Sequence, residues 1–285
     1  MAIDIDGTLI NTSMQLTAPT RQAIAGARLN GVRVTLATGR SYNSAKNYAD
    51  RLGLDAPLIC SNGAIIRHRD GTILSEESLD SRAAYPLLAE MAAEGLYTLV
   101  YHKDGIFTSG KTNSLVSWLG AIGPKRPKLG RLAYSLKEFR LCRVRKLSPL
   151  KKGEDRYIGH KIFTAGPRDK LDGFQRQALA LGFSVDYYPE TEDCMYLEVT
   201  NPGISKGWAL ARLAGHYGLD MAQVAAIGDN LNDHTMIQAA GLGIVMGNGH
   251  SQLKDIAGEV TLTNDEDGVA AAIHRLILQS PAQAG

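Results

Sequence analysis

The sequence holds nothing that would anchor it in a membrane. Its start, Met1-Ala2-Ile3-Asp4-Ile5-Asp6, has neither the basic n-region nor the apolar stretch of a signal peptide. No apolar run approaches the ~20 residues that cross a bilayer. The longer ones, Val224 to Ile227 and Leu242 to Met246, are strand-sized. Cysteine is scarce: Cys60, Cys142 and Cys194 are far apart, odd in number and form no C-x-x-C pair. That argues against a disulfide framework or a zinc site and makes a reducing cytoplasm the expected compartment. Aromatic residues are only 6% of the chain, and 31 Lys/Arg against 29 Asp/Glu leave a net charge of +2, so neither stacking nor a basic excess points to nucleic acid. What is present is ordinary for a globular protein: 44% apolar and 21% charged residues. At 285 residues the chain fits one large domain or two ordinary ones.

The first segment alternates strand and helix signals. Met1 to Ile5 is apolar and ends in acidic residues and Gly7. Thr17 and Pro19 suit the start of a helix that runs to Asn30 with Gly31 beyond its end. Val32 to Ala37 reads as a strand, Ser41 to Leu52 as a helix stopped by Gly53, and Pro57 to Cys60 as a third strand. This β-α-β-α-β order predicts a doubly wound, Rossmann-like parallel sheet. The middle is different. Residues 80–95 read as a helix, Leu96 to His102 and Gly105 to Ser109 as a hairpin turning at Asp104-Gly105, 168–181 as a helix, and Phe183 to Tyr188 and Cys194 to Val199 as strands. The β/α alternation returns with a helix from Ser205 to Tyr217, a strand at Val224 to Ile227, a helix at 233–240, a strand at Gly243 to Met246 and a last helix near 265–279. The prediction is an α/β core in two pieces, 1–79 and 196–285, with an α+β domain, 80–195, inserted between. Charge divides with it. The insert carries 19 Lys/Arg and 13 Asp/Glu, the remainder 12 and 16.

In open α/β sheets, ligands bind at the carboxyl ends of the strands. Three polar clusters fall there: Asp4/Asp6, Thr38, and Asp229/Asn232/Asp233. Carboxylates converging at one edge repel, and a hard divalent cation resolves this. Mg²⁺ prefers carboxylate and water oxygens and also holds substrate phosphates. An Asp beside such an ion can act as a covalent nucleophile towards phosphorus. A second carboxylate two residues on can protonate the leaving oxygen and later deprotonate water. Thr38, Lys206 and the amides around Gly7 are candidates to neutralise the phosphoryl oxygens.

Asp4-Ile5-Asp6-Gly7-Thr8-Leu9 resembles the first motif of the haloacid dehalogenase superfamily of phosphatases, and Thr38-Gly39-Arg40 its second. Lys206, in Gly203-Ile204-Ser205-Lys206-Gly207, resembles the third, and Gly228-Asp229-Asn230-Leu231-Asn232-Asp233 the acidic fourth. An insert between the second and third motifs resembles the large cap of the Cof-type subfamily. Ser61-Asn62-Gly63-Ala64 and Gly243-Ile244-Val245-Met246-Gly247-Asn248 also match Cof-like segments. The resemblance implies Asp4 as nucleophile and Mg²⁺ ligand, and Asp6 as general acid/base that ligates Mg²⁺ through its backbone carbonyl. It implies Thr38, Gly39 and Lys206 on the phosphoryl group, Asp229 as the third metal ligand, Asn232 on the phosphate side, Asp233 orienting Lys206 or bound water, and Asn62 as a candidate substrate contact. Arg40 reads equally as a surface residue or as a cap-facing substrate contact. Only three residues precede Asp4, fewer than in family members, so the first strand is expected to be truncated or to lack residues before Met1.

Each motif alone has a plainer reading: Asp-x-Asp-Gly and Thr-Gly-Arg are usually turns, and a single Lys is usually solvated. Their order along one chain is what favours catalysis. Gly228 to Asp233 lacks the twelve-residue pattern of a Ca²⁺ loop. His234 reads as a first-turn helix residue, and His160 and Lys161 as structural or solvated. The basic run 124–161, with 13 Lys/Arg against 3 Asp/Glu, reads as a solvated face or a patch that attracts anions. The expected function is a Mg²⁺-dependent phosphatase that hydrolyses a small phosphorylated metabolite (a sugar phosphate, phosphorylated cofactor or nucleotide) through an aspartyl-phosphate. It would act as a monomer or small homo-oligomer, with no nucleic-acid or membrane partner. The alternatives are a sugar phosphomutase of the same superfamily and a binding or regulatory protein without turnover.

Overall fold

The computed structural model describes residues 1–109, 114–122, 129–147, 157–191 and 194–278. Along the chain the elements are β1 (Ala2–Ile3), α1 (Ala18–Leu29), β2 (Thr35–Leu36), α2 (Tyr42–Leu52), β3 (Leu58–Cys60), β4 (Ile65–Arg67) and β5 (Ile73–Glu76). Then come α3 (Ser81–Ala93), β6 (Tyr97–His102), β7 (Gly105–Thr108), α4 (Ser114–Ile122), α5 (Leu129–Leu141), β8 (Arg145–Lys146), β9 (Lys161–Pro167), α6 (Arg168–Ala180), β10 (Ser184–Thr191) and β11 (Cys194–Thr200). The last are α7 (Lys206–His216), β12 (Ala225–Gly228), α8 (His234–Ala239), β13 (Leu242–Val245), α9 (Ser251–Lys254), β14 (Glu259–Val260) and α10 (Gly268–Ile273). They form two compact units. One holds Met1–Arg40, Ala45–Ser75 and the chain from Ser205 onward; the other holds Ser41–Ser44 and Glu76–Ile204.

The first unit is built on a five-stranded parallel sheet ordered β14-β13-β12-β1-β2. A parallel bridge from Ala37 to Ile59 adds β3 beside β2, and β3 opens a small sheet ordered β3-β4-β5. The chain runs outward from β1 through β2, then returns to the other side of β1 with β12. The strand order therefore reverses between β1 and β12, and such a reversal leaves a crevice at the carboxyl ends of the strands. Local chemistry explains the helices. Thr17 caps α1 by accepting from the Thr20 amide, and Thr20, Ala23, Ile24 and Ala27 form its buried stripe. α7 starts at a Ser205 cap and buries Ala209, Leu210, Leu213 and Ala214 among Val224, Ala226, Met236 and Ile237. Each leucine, valine, isoleucine or methionine among them contributes about 1.5–3 kcal/mol on full burial.

The second unit is a six-stranded sheet ordered β10-β11-β9-β6-β7-β8, antiparallel except for β7 with β8. Leu87, Leu88 and Met91 of α3 and Leu171 and Phe174 of α6 cluster with Val100, Ile162, Leu197 and Val199. Trp118 of α4 and Phe139 of α5 cluster with Leu99, Tyr101 and Phe163.

Several sequence expectations shift. The strand expected at Met1 to Ile5 pairs only over Ala2–Ile3, and that at Val32 to Ala37 only over Thr35–Leu36. The hairpin turns one residue early, at Lys103-Asp104, with His102 opposite Gly105. Gly105 has φ +146°, and a Cβ there would lie 2.8 Å from the Cys142 carbonyl oxygen. The helix expected at 233–240 is α8, entered through a 3₁₀ turn over Leu231–Asp233. That near 265–279 is α10, preceded by left-handed Asp267 and followed by a wider π-type turn over His274–Leu278; residue 279 lies outside the described residues. His160 and Lys161 take the structural of their two readings, both being buried. His160 lies against Tyr157 and Glu76, and Lys161 pairs with Glu198 at 3.1 Å. Of the basic run, residues 124–128 and 148–156 lie outside the described residues.

Candidate active site

The site grows from the top of β1. The Asp4 amide donates to the Ile227 carbonyl of β12 at 3.0 Å, so Asp4 leaves the sheet at the reversal point, with its side chain buried. The chain then turns tightly, the Leu9 amide donating back to the Asp4 carbonyl. Gly7 makes the turn possible. Its φ is +78°, and a Cβ there would lie 2.2 Å from Asp229 Oδ2, so the first loop can lie this close to the loop after β12 only without a side chain. Thr8 Oγ1 closes the contact by donating to Asp229 Oδ1 at 2.6 Å.

Lys206, the first residue of α7, reaches the same place fully buried. Its Nζ donates to Asp4 Oδ1 at 2.7 Å and to Asp233 Oδ1 at 2.6 Å. Asp233 Oδ2 accepts from the Asp229 and Asn230 amides at 2.9 and 3.0 Å. A Cβ on Gly228 would sit 2.5 Å from Asp233 Cγ, so this loop too depends on a missing side chain. Burial alone would push the Lys206 ammonium down, but Asp233 and Asp4 outweigh it and hold it above its usual range. Burial, then repulsion from the other carboxylates, raises Asp4 against the pull of Lys206. Asp229 is pushed up to about 7, first by burial and then by Asp233, with Thr8 opposing.

Thr38 follows β2 and is buried, its amide on the Ile59 carbonyl. Its Oγ1 accepts from the Arg40 amide at 3.2 Å, so its hydroxyl proton points elsewhere. Gly39 lies in the turn between them. Asn62 stands on a turn in which Ser61 and Asn62 both take left-handed conformations, φ +53° and +57°. Its amide donates to the Thr38 carbonyl, and its Oδ1 accepts from Asn232 Nδ2 at 3.3 Å. Asp6 points away from the other carboxylates, half exposed, and its two oxygens accept from Arg40. Burial of its surroundings would raise this carboxyl, but Arg40 holds it below the usual range.

Asp4, Asp229 and Asp233 each place a carboxylate oxygen within 4.8 Å of the others, close enough to share one ion. The oxygen-only donor set, with no thiolate or imidazole in it, fits a hard divalent metal. Asp233 already spends both oxygens on Lys206 and backbone amides, which leaves Asp4 and Asp229 as the available carboxylates. The structure thus brings together Asp4, Lys206, Asp229 and Asp233, and separately Asn62 with Asn232. It turns the Asp6 carboxylate outward to Arg40.

Two contributors carry no sequence-derived role. Thr8, inside the first motif, fixes Asp229. Asn248 Nδ2 donates to the Gly7 carbonyl at 2.8 Å. The signal for Asn248 was its place after β13, a fourth polar strand end. A cavity of about 260 Å³ lies elsewhere, lined by Arg28, Val32, Arg33 and Asp55, and no site residue lines it.

A family model for haloacid dehalogenase-like hydrolases matches residues 1–273. The chain belongs to the haloacid dehalogenase-like hydrolase family. This hydrolase is 30% identical to phosphatase YwpJ of Bacillus subtilis strain 168, over 97% of this chain and 99% of that protein. It is 31% identical to an HMP-PP phosphatase of Escherichia fergusonii over 89% and 85% of the two chains. A solved haloacid dehalogenase-like hydrolase from B. subtilis superposes with a TM-score of 0.80 at 29% identity, covering 97% and 99%. These likenesses bear out the expected family, the α/β fold class with its inserted sheet-rich region, and the assignment as a phosphoric monoester hydrolase. No described helix is long and apolar enough to cross a membrane.

Proposed function

We propose that this hydrolase is a Mg²⁺-dependent phosphatase of small phosphorylated metabolites, with Asp4 as its nucleophile. The observation that carries the reading is the buried Lys206 ammonium bridging Asp4 and Asp233 beside Asp229, at the point where the strand order reverses. A bound Mg²⁺ would be held by Asp4, Asp229 and the Asp6 backbone carbonyl, and it supplies positive charge for the phosphoryl oxygens.

The residues do the rest. Asp4 attacks phosphorus and forms an acyl phosphate as the ester P–O bond breaks. Asp6 gives its proton to the departing oxygen, then takes one from the water that hydrolyses the aspartyl-phosphate. Lys206, the Thr38 hydroxyl, the Gly39 amide and Asn232 bind the phosphoryl oxygens, and Asp233 keeps Lys206 aimed. Arg40 and Asn62 lie on the substrate side.

We assign this chemistry to the first unit and substrate choice to the second, and propose sugar phosphates, phosphorylated cofactors or nucleotides as the substrate class. None of the three cysteines is in a disulfide, which suits the cytoplasm. We propose that the enzyme works there as a monomer or small homo-oligomer, with no nucleic-acid partner.

The test is phosphate release from 4-nitrophenyl phosphate and a panel of metabolite phosphates, with and without Mg²⁺. The expected result is Mg²⁺-dependent release that Asp4→Asn abolishes. Activity retained in Asp4→Asn would remove the nucleophile assignment. Isomerised sugar phosphate without free phosphate would favour a mutase.

A further inference from the structure

Arg40 grips Asp6 with a fork. Its Nε donates to Asp6 Oδ2 at 2.6 Å and its Nη2 to Asp6 Oδ1 at 2.5 Å. The Arg40 side chain is only 13% exposed, whereas that of Asp6 is 52% exposed. The residue that does the holding is therefore the one the fold fixes. The Arg40 amide bonds Thr38 Oγ1, its carbonyl accepts from the Ser61 amide at 2.9 Å, and its guanidinium lies 5.4 Å from the centre of the Tyr48 ring. The carboxylate, by contrast, stands on the turn after Asp4. In water it would need no partner, and an ion pair this exposed contributes little to folding. Stability is a poor reason for a two-point grip, since a single contact would serve as well. A fork fixes something else, the plane and the direction of the carboxylate.

We infer that Arg40 is the positioning residue for Asp6, fixing the direction from which its carboxyl delivers and collects the proton. The inference rests on the assignment of Asp6 as acid and base. In the first step Asp4 forms its bond to phosphorus, the ester P–O bond breaks, and the departing alkoxide takes the proton of the Asp6 carboxyl to leave as the alcohol. In the second, water bonds to phosphorus, the Asp4–phosphorus bond breaks, and the proton of that water returns to Asp6. The hydroxyl oxygen of a protonated carboxyl keeps a lone pair, so each Arg40 nitrogen can stay on its own oxygen while one of the two carries the proton, and the same two-point grip aims both steps. Proton transfer of this kind is worth 10²–10⁴-fold, and much of that depends on aim.

The test compares 4-nitrophenyl phosphate, whose leaving group needs little help from an acid, with phenyl phosphate, which needs more. The ratio of kcat/KM between them reports aim up to leaving-group departure. Loss of phosphate binding or a loosened fold lowers both alike. Arg40→Ala is expected to raise the 4-nitrophenyl to phenyl ratio about tenfold or more, with KM for either ester changing less than about threefold. Arg40→Lys, which keeps the charge but cannot span both oxygens, is expected to raise the ratio by less. An equal fall on both esters, or a wild-type ratio in both variants, overturns the inference. Asp6→Asn separates the two levels. If it leaves the ratio at the wild-type value, the acid assignment fails and takes the Arg40 inference with it. If it raises the ratio while Arg40→Ala does not, only the Arg40 inference falls.

Discussion

Replacing Lys206 with Met tests how the site is held together. Met keeps most of the buried stem and removes the ammonium that Asp4 and Asp233 share at 2.7 and 2.6 Å. Both carboxylates are almost wholly buried, at 4% and 0% exposure, so water cannot take over. Removing one partner of a buried ion pair costs about 3–5 kcal/mol. With two carboxylates relying on one cation, the metal-free protein should lose the upper part of that range. At about 2–4 °C per kcal/mol for a unit of this size, the first unit should melt roughly 10 °C lower. The chain has two tryptophans: Trp208 on α7, two residues past Lys206, and Trp118 on α4 in the second unit. Fluorescence of Trp208 in a Trp118→Phe background, in chelator, follows the right unit. Adding Asp4→Asn and Asp233→Asn to Lys206→Met should recover more than half the loss, because neutral amides no longer repel. A single variant melting within about 2 °C of the parent, or a triple variant no more stable than the single, would refute the reasoning.

The two units should respond to acid in opposite senses between pH 6 and 5, a window below the Met1 ammonium that burial pushes down to about 6. Asp229, pushed up to about 7, binds its proton more readily folded than unfolded, so the metal-free first unit gains roughly 1 kcal/mol per pH unit as pH falls. His160, held below its usual value by burial against the pull of Glu76, binds its proton more readily unfolded, so the second unit loses stability over the same range. Melts followed separately by Trp208 and Trp118 that move in parallel would contradict this. Gly7→Ala puts a Cβ 2.2 Å from Asp229 Oδ2 at φ +78°. It is expected to weaken the apparent affinity for divalent metal at least tenfold in titration calorimetry, and an unchanged affinity would show that the loop tolerates the group.

The convergent residues were legible because each marks a strand end. Asp4 and Asp229 stand where an apolar run meets a polar turn, and Lys206 follows a serine that caps a helix. Arg40 is a different case. Nothing in Thr-Gly-Arg tells whether the guanidinium faces solvent, substrate or Asp6, since that depends on how two loops 34 residues apart meet. Asn248 was hidden for the same reason. Among the elements, β9 escaped because alternation marks a strand with one wet face, and six of its seven residues are buried. Gly166 and Pro167 at its end look like a breaker, yet the Leu96 side chain packs over Gly166, where a Cβ would come 2.7 Å from its Cδ2.

The segment after Asp4 is pinned at four places by residues 248–267. Asn248 holds the Gly7 carbonyl, Asn264 the Ile10 carbonyl, Asp265 the amide and hydroxyl of Thr12, and Asp267 the hydroxyl of Thr17, across separations of 241 to 254 residues. A ribosome makes Asp4 well before the residues that fasten its loop. Throughout synthesis Asp4 sits on an open strand edge, waiting for β12 and then for the segment at 248–267, and contacts this distant are slow to form. A nascent chain released before residue 264 would carry Asp4, Thr38, Lys206 and Asp229 and still lack the struts that hold the first loop in shape. Activity in this enzyme should therefore appear only once the segment at 248–267 has been made and docked.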